Sequence, residues 1–68
     1  MSEYYVNKNK QPNGDNEVHV KTCSWFNLIK DKEYLGNYSR CSEAVSEAKR
    51  KNYNANGCKY CAPSCHTS

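Results

Sequence analysis

Residues 57–68 read GCKYCAPSCHTS and carry three of the five cysteines and one of the two histidines in this 68-residue chain. Cysteine thiolates and histidine imidazoles are the usual ligands of structural zinc. Two cysteines separated by two residues, here Cys58 and Cys61, can bind one tetrahedral ion without straining the backbone. Terminal segments usually fray unless other contacts hold them. This stretch therefore predicts a C-terminus that a bound metal ties to the rest of the domain.

The chain is poor in the residues that build a hydrophobic core. Valine, leucine, isoleucine and phenylalanine together number eight, about 12% of the chain, below the roughly 20% under which disorder becomes a fair expectation. A domain of this size buries only about 60% of its unfolded surface. Ordering the chain costs roughly 1.5 kcal/mol per residue. We therefore expect a metal or a disulfide to supplement the core.

The compartment decides between these two cross-links. Residues 1–10, MSEYYVNKNK, contain no apolar signal segment, and the chain has no long apolar run, so we expect a cytoplasmic protein without a membrane span. Cytosolic thiols stay reduced, and an odd number of cysteines fits a closed disulfide framework poorly. Zinc is therefore favoured, and disulfides remain the alternative.

Hydrophobic alternation predicts a small antiparallel sheet. Residues 4–6 and 17–22 are two candidate strands of a hairpin, joined by a long polar loop that contains a Pro-Asn-Gly-Asp turn. Residues 33–38 form a further candidate strand, in which Gly36 indicates a bulge or a close backbone approach. Residues 1–16 are polar, and we expect them to be partly flexible.

One helix is predicted over residues 40–52, with Ser39 as its N-cap. Its apolar positions recur at helical spacing and are Cys41, Ala44, Val45 and Ala48. Together these elements predict a small α+β domain of two or three antiparallel strands and one helix. We expect a single domain over residues 1–68, with its core in 17–61 and a tail in 62–68.

The metal ligands can be assigned only in part. Cys58 and Cys61 supply two, and Cys23, which follows a strand among polar residues, is the best third. His19 lies four residues before Cys23, a span of about 13 Å in an extended strand, so the chain must turn after Lys21 if both bind one ion. The other candidates for the fourth ligand are His66, Cys65 and Cys41. Cys41 lies on the apolar stripe of the helix, and we expect it to be a buried, inert thiol rather than a ligand.

Catalysis and redox chemistry have weaker support. A redox Cys-x2-Cys pair would lie between a strand and a helix, and little chain follows Cys61 to form that helix. A catalytic zinc would keep one open position for water, whereas soft ligands are plentiful here. We therefore expect a protein that is not an enzyme, with thiol redox activity at Cys58 and Cys61 as a distant alternative.

The charge neither demands nor excludes nucleic acid as a partner. The formal charge is +3, and a zinc bound by three thiolates and one imidazole would lower it to about +2. Basic and aromatic side chains near the end of the helix resemble the composition of single-strand binding surfaces; they are Lys49, Arg50, Lys51, Tyr53 and Tyr60. The alternative is that this basic helix end is simply solvated. The chain would then be a monomeric protein-interaction or regulatory accessory protein with no nucleic-acid role.

Three stretches also carry a family resemblance: VHVKTCSWF at 18–26, CSEAVSEAKRKN at 41–52 and NGCKYC at 56–61. They resemble small zinc modules appended to nucleases and other DNA-processing proteins. The matching residues are His19, Cys23, Ser42, Glu43, Ala44, Cys58 and Cys61. This resemblance implies a zinc site of His19, Cys23, Cys58 and Cys61. Over most of its length the chain is also similar to a group of short, uncharacterised bacterial stand-alone proteins.

Overall fold

The computed structural model describes residues 1–66 and has the α+β architecture expected from the sequence. Thr67 and Ser68, the end of the predicted tail, lie outside the described residues. The elements are, in chain order, β1 (Ser2–Asn7), β2 (Asn16–Val20), a 3-10 turn (Phe26–Leu28), β3 (Lys32–Tyr38), α1 (Cys41–Arg50), β4 (Ala55–Gly57) and a second 3-10 turn (Pro63–Cys65).

The sheet differs from the predicted one in size and direction. In the described part of the chain it has four strands in the order β3-β1-β2-β4, rather than two or three. β1 is antiparallel to both β2 and β3, whereas β4 runs parallel to β2. The prediction missed β4 because its sequence, Ala-Asn-Gly, has low strand propensity. Its pairing with β2, from Asn16 opposite Ala55 to Val18 opposite Gly57, is what makes it a strand.

The predicted hairpin and bulge are both present. β1 pairs with β2 with Tyr5 opposite His19. On the other side of β1, Tyr4 lies opposite Gly36 while Tyr5 lies opposite Tyr34, so Leu35 is an extra residue in β3. Gly36 has a φ of 133°, a backbone conformation that residues with a Cβ rarely adopt. The bulge turns Leu35 into the core, where it is buried.

The helix is shorter at both ends than predicted. Its N-cap is Arg40 rather than Ser39. Arg40 and Ser39 both nevertheless bind the first turn of the helix. The Glu43 carboxylate accepts one hydrogen bond from the Arg40 backbone N–H and one from the Ser39 hydroxyl, each at 3.1 Å. At the other end Asn52 has a φ of 73°, the left-handed conformation that commonly ends helices.

The core lies between α1 and one face of the sheet and is small, as the composition predicted. Its buried members are Tyr4, Val6, Val18, Leu35, Ala44 and Ala48. The two alanines confirm the inward-facing stripe of the helix. Within residues 1–66, no helix has the length and apolarity needed to cross a bilayer.

The opposite face of the sheet is covered by the loop between β2 and β3. Tyr5, on β1, contacts the ring of Phe26 in this loop, with the centroids 4.9 Å apart. Tyr5 also contacts Tyr34 of β3, at 5.1 Å. The ammonium of Lys32 lies 4.7 Å from the centre of the Phe26 ring. These aromatic contacts hold the loop that carries Cys23 and Trp25 against the sheet.

Candidate metal centre

A tight turn after β2 brings His19 and Cys23 together. The strand ends at Val20, and the backbone N–H of Cys23 donates to the carbonyl of Val20 at 3.0 Å. The sulfur of Cys23 therefore lies 3.7 Å from Nδ1 of His19. An extended chain would have separated the two residues by about 13 Å. The turn that a shared ion requires is thus present.

The second half of the centre follows β4 directly. The backbone N–H of Cys58 donates to the carbonyl of Val18 at 2.9 Å, which continues the pairing of β4 with β2. The N–H of Ala62 then donates to the carbonyl of Cys58, also at 2.9 Å, and closes the loop that contains Cys61. This loop places the sulfur of Cys61 3.8 Å from Nδ1 of His19.

The four side chains have the spacing of a tetrahedral metal site. The ligand atoms of His19, Cys23, Cys58 and Cys61 all lie within 4.8 Å of one another. The sulfurs of Cys23 and Cys58 are 4.0 Å apart. Four ligands about 2.3 Å from a tetrahedral centre are about 3.8 Å apart. These residues could therefore hold a metal ion.

Burial shifts the pKa of two members of the cluster. It lowers the pKa of His19, which favours the neutral imidazole that a metal requires. Burial also raises the pKa of the Cys61 thiol well above its usual range, as do hydrogen bonds with Cys23 and Cys58, whereas the Val20 amide lowers it. The buried Cys61 thiol thus resists ionisation. A divalent cation would supply the charge that stabilises the thiolate form of clustered cysteines.

Glu17 belongs to the centre but was not predicted from the sequence. Its Oε1 lies 3.4 Å from Nε2 of His19. A metal bound at Nδ1 requires the ring proton on Nε2, from which it can be donated to this carboxylate. Burial raises the pKa of Glu17. The strand alternation contained the signal, because residues 17 and 19 share one face of β2.

The other candidate ligands lie outside the cluster. Cys41 and Cys65 form a disulfide, with their Cα atoms 6.3 Å apart. Nδ1 of His66 donates to the carbonyl of Gly57 at 3.0 Å. The expectation that Cys41 is an inert free thiol is therefore wrong. The chain combines a disulfide with a candidate metal site, two cross-links that the sequence had presented as alternatives.

Gly57 explains how Cys65 reaches the helix. A Cβ at position 57 would lie 2.7 Å from Cβ of Cys65 and 2.8 Å from the carbonyl oxygen of Ala62. The C-terminal segment therefore lies directly on β4, and only glycine leaves room for it. From this position Cys65 extends to Cys41 in the first turn of α1.

Two of the predicted nucleic-acid contacts are engaged in ion pairs. Arg50 binds the Glu47 carboxylate through two nitrogens, at 3.0 and 2.6 Å. Lys51 lies 3.2 Å from the Glu33 carboxylate. These acidic partners reduce the positive potential at the end of the helix. Lys49 is exposed and has no ion pair within residues 1–66.

The two predicted tyrosines have different surroundings. The hydroxyl of Tyr53 donates to the Glu33 carboxylate at 2.7 Å, and this hydrogen bond is the main reason that the pKa of Glu33 is lowered. Tyr53 also packs against the core. Tyr60, in contrast, is exposed and lies beside Trp25, with the ring centroids 5.7 Å apart.

Comparison with known proteins identifies no relative of this chain. No family model matches the chain, and no curated protein or solved structure is significantly similar to it. The function is therefore inferred from the geometry and chemistry of the site.

Proposed function

We propose that this chain is a small, non-catalytic zinc-binding module in which the ion has a structural role. The observation that carries this proposal is the convergence of three cysteine sulfurs and one imidazole nitrogen within 4.8 Å. Three thiolates and one imidazole form one of the common ligand sets of structural zinc. A set of four protein ligands leaves no position for the water that a catalytic zinc activates.

The position of the centre explains why an ion would stabilise the fold. Cys23 and Cys58 are separated by 35 residues, and an ion bound to both would join the loop after β2 to the segment after β4. Within residues 1–66, the buried core between α1 and the sheet consists of Tyr4, two valines, one leucine and two alanines. In small metal-binding domains, the free energy of metal binding is also free energy of folding.

A dithiol redox role for Cys58 and Cys61 fits the environment less well. Reactive cysteines have lowered pKa values because nearby positive charge or a helix N-terminus stabilises the thiolate. Burial instead raises the pKa of Cys61. Cys58 is almost completely buried, at 1% exposure, so another disulfide could hardly reach its sulfur.

Metal analysis tests the proposal. Protein purified without chelator should contain one equivalent of zinc, measured by atomic emission spectrometry. Removal of the ion by chelator under conditions that preserve the disulfide should abolish the near-ultraviolet circular dichroism of the folded state, and added zinc should restore it. If the metal-free protein retains the full spectrum and the same unfolding temperature, the ion is not structural.

Cobalt replacement tests the ligand set separately. Tetrahedral Co²⁺ bound to three thiolates and one imidazole has visible d–d bands and sulfur charge-transfer bands whose intensities depend on the number of thiolates. We expect Cys61→Ser to weaken the charge-transfer bands and Ser64→Ala, a neighbouring control, to leave them unchanged. Equal spectra for Cys61→Ser and the wild type would exclude Cys61 as a ligand.

A further inference from the structure

A concave groove lies beside the candidate metal centre. Its volume is about 450 Å³, and five of its lining residues define it. We call it the aromatic groove and define it by Glu17, Trp25, Leu28, Lys30 and Tyr60. Val18 faces the helix, so strand alternation places its neighbour Glu17, and with it the groove, on the opposite side of the sheet.

Two adjacent aromatic rings are exposed along this groove. Trp25 is 44% exposed and Tyr60 is 68% exposed. Their ring centroids are 5.7 Å apart and their planes are inclined by 41°. Leu28, 67% exposed, extends the apolar surface. A small domain that is short of core residues thus leaves three large apolar side chains together in solvent, which indicates a binding surface.

Both rings lie in the loops that carry the candidate metal ligands. Trp25 follows Cys23 by two residues, and Tyr60 lies between Cys58 and Cys61. The two loops that carry the rings are therefore the loops that carry the metal ligands. An ion bound to these cysteines would fix the distance between Trp25 and Tyr60.

Three lysines either line the groove or adjoin its lining residues in sequence. Lys30 lines the groove. Lys10 lies between two lining residues, and Lys59 directly precedes Tyr60. All three are exposed, and within residues 1–66 none of them forms an ion pair. Lys21, by comparison, is paired with Glu3 at 3.6 Å.

We propose that the aromatic groove binds single-stranded nucleic acid, with a base stacked on Trp25 and Tyr60 and the adjacent phosphates near Lys30 and Lys59. Exposed aromatic rings beside unpaired basic residues are the usual elements of such sites, because every base has a face that can stack. The bases of a duplex are already stacked on one another, so the proposed ligand is single-stranded. This inference rests on the proposed function, since the metal-binding loops hold both rings.

The groove offers a direct binding signal. Trp25 is the only tryptophan of the chain, so a stacked base should quench its fluorescence. Zinc-loaded protein, with its metal content verified, is titrated with a thymidine 15-mer and with a uridine 15-mer at about 25 mM and about 200 mM salt. We expect quenching by at least one oligonucleotide and weaker binding at higher salt. The two oligonucleotides distinguish DNA from RNA.

Variants test the two kinds of contact, with a labelled oligonucleotide as the probe. Trp25→Ala and Tyr60→Ala should each lower affinity about tenfold or more, and Trp25→Phe should recover most of the loss. The double variant Lys30→Ala, Lys59→Ala should lower the slope of log affinity against log salt concentration by the amount expected for about two phosphate contacts. Lys21→Ala, outside the groove, should bind as the wild type does. Equal metal content in all variants ensures that only folded protein is compared.

Four outcomes would overturn the inference. One is the absence of binding at low salt by protein with a full equivalent of zinc, which would leave the proposed metal site intact. Another is binding that heparin abolishes but that never quenches Trp25. A third is wild-type affinity in both aromatic variants. The last is loss of binding in Lys49→Ala while the Lys30→Ala, Lys59→Ala double variant binds as the wild type does, which would assign the contact to the helix end.

Discussion

The Glu17 carboxylate lies 3.4 Å from Nε2 of His19, while Nδ1 of the same ring faces the sulfurs of Cys23 and Cys61 at 3.7 and 3.8 Å. The two ring nitrogens thus have separate roles. One is positioned to bind an ion, and the other to donate a hydrogen bond that fixes the ring and increases its basicity. A carboxylate behind a metal-binding histidine acts in this way in many sites.

Replacing Glu17 with glutamine should lower zinc affinity about tenfold, within the range found for such outer contacts. The amide can still accept a hydrogen bond, but it lacks the negative charge that strengthens the imidazole as a ligand. Affinity is measured by competition with a chelator. Glu3→Gln, which removes an exposed ion pair with Lys21, is the control and should leave the affinity unchanged. An equal loss in both variants would contradict a specific role for Glu17.

The two histidines should behave differently when each is replaced by alanine. His19→Ala removes one of four proposed ligands, so its loss of zinc affinity should exceed the roughly 10–100-fold of an outer-contact change. His66→Ala removes only a hydrogen bond to Gly57 and should retain the wild-type affinity. The same competition measurement serves both variants. Equal affinities would remove both histidines from the site.

Removing the disulfide should reduce stability without releasing the metal. Cys41 and Cys65 are 24 residues apart, and a cross-link over a loop of that length contributes about 3.5 kcal/mol in the chain-entropy description. The double variant Cys41→Ser, Cys65→Ser should unfold at lower urea concentration and still bind one zinc. A loss of metal stoichiometry in this variant would show that one of these cysteines is a ligand.

Gly57→Ala should destabilise the fold by about 1–3 kcal/mol, the usual cost of overpacking. The added methyl group would lie 2.7 Å from Cβ of Cys65 and 2.8 Å from the carbonyl oxygen of Ala62. Gly14 provides the matched control. It has a φ of 91° and open space around it, and asparagine tolerates that conformation, so Gly14→Asn should have a small effect. Thermal unfolding compares the two, and equal shifts would contradict the steric explanation.

The residue pattern within a single segment was enough to predict the strands and the helix whose conformation depends mainly on residues close in sequence. Alternation in residues 17–22 predicted β2, helical spacing from Cys41 to Ala48 predicted the face of α1, and Gly36 predicted the bulge in β3. Each of these follows from the geometry of a single segment, in which side chains repeat every two residues or every 3.6. The shortage of aliphatic residues likewise indicated that a cross-link is needed, since composition alone limits the apolar area that folding can bury.

The sequence left open which soft ligands would meet, because spacing along a chain does not determine distance in space. Tertiary structure decided this through β4, whose pairing with β2 sets Cys58 beside Cys23. The same placement, with glycine at position 57, directs Cys65 toward Cys41 and away from the cluster. By itself the sequence determined a small cross-linked α+β domain with two Cys/His-rich segments. Long-range strand pairing alone divided the five cysteines between a disulfide and a candidate metal site. That pairing could not be predicted from the sequence, because β4 has only three residues and low strand propensity.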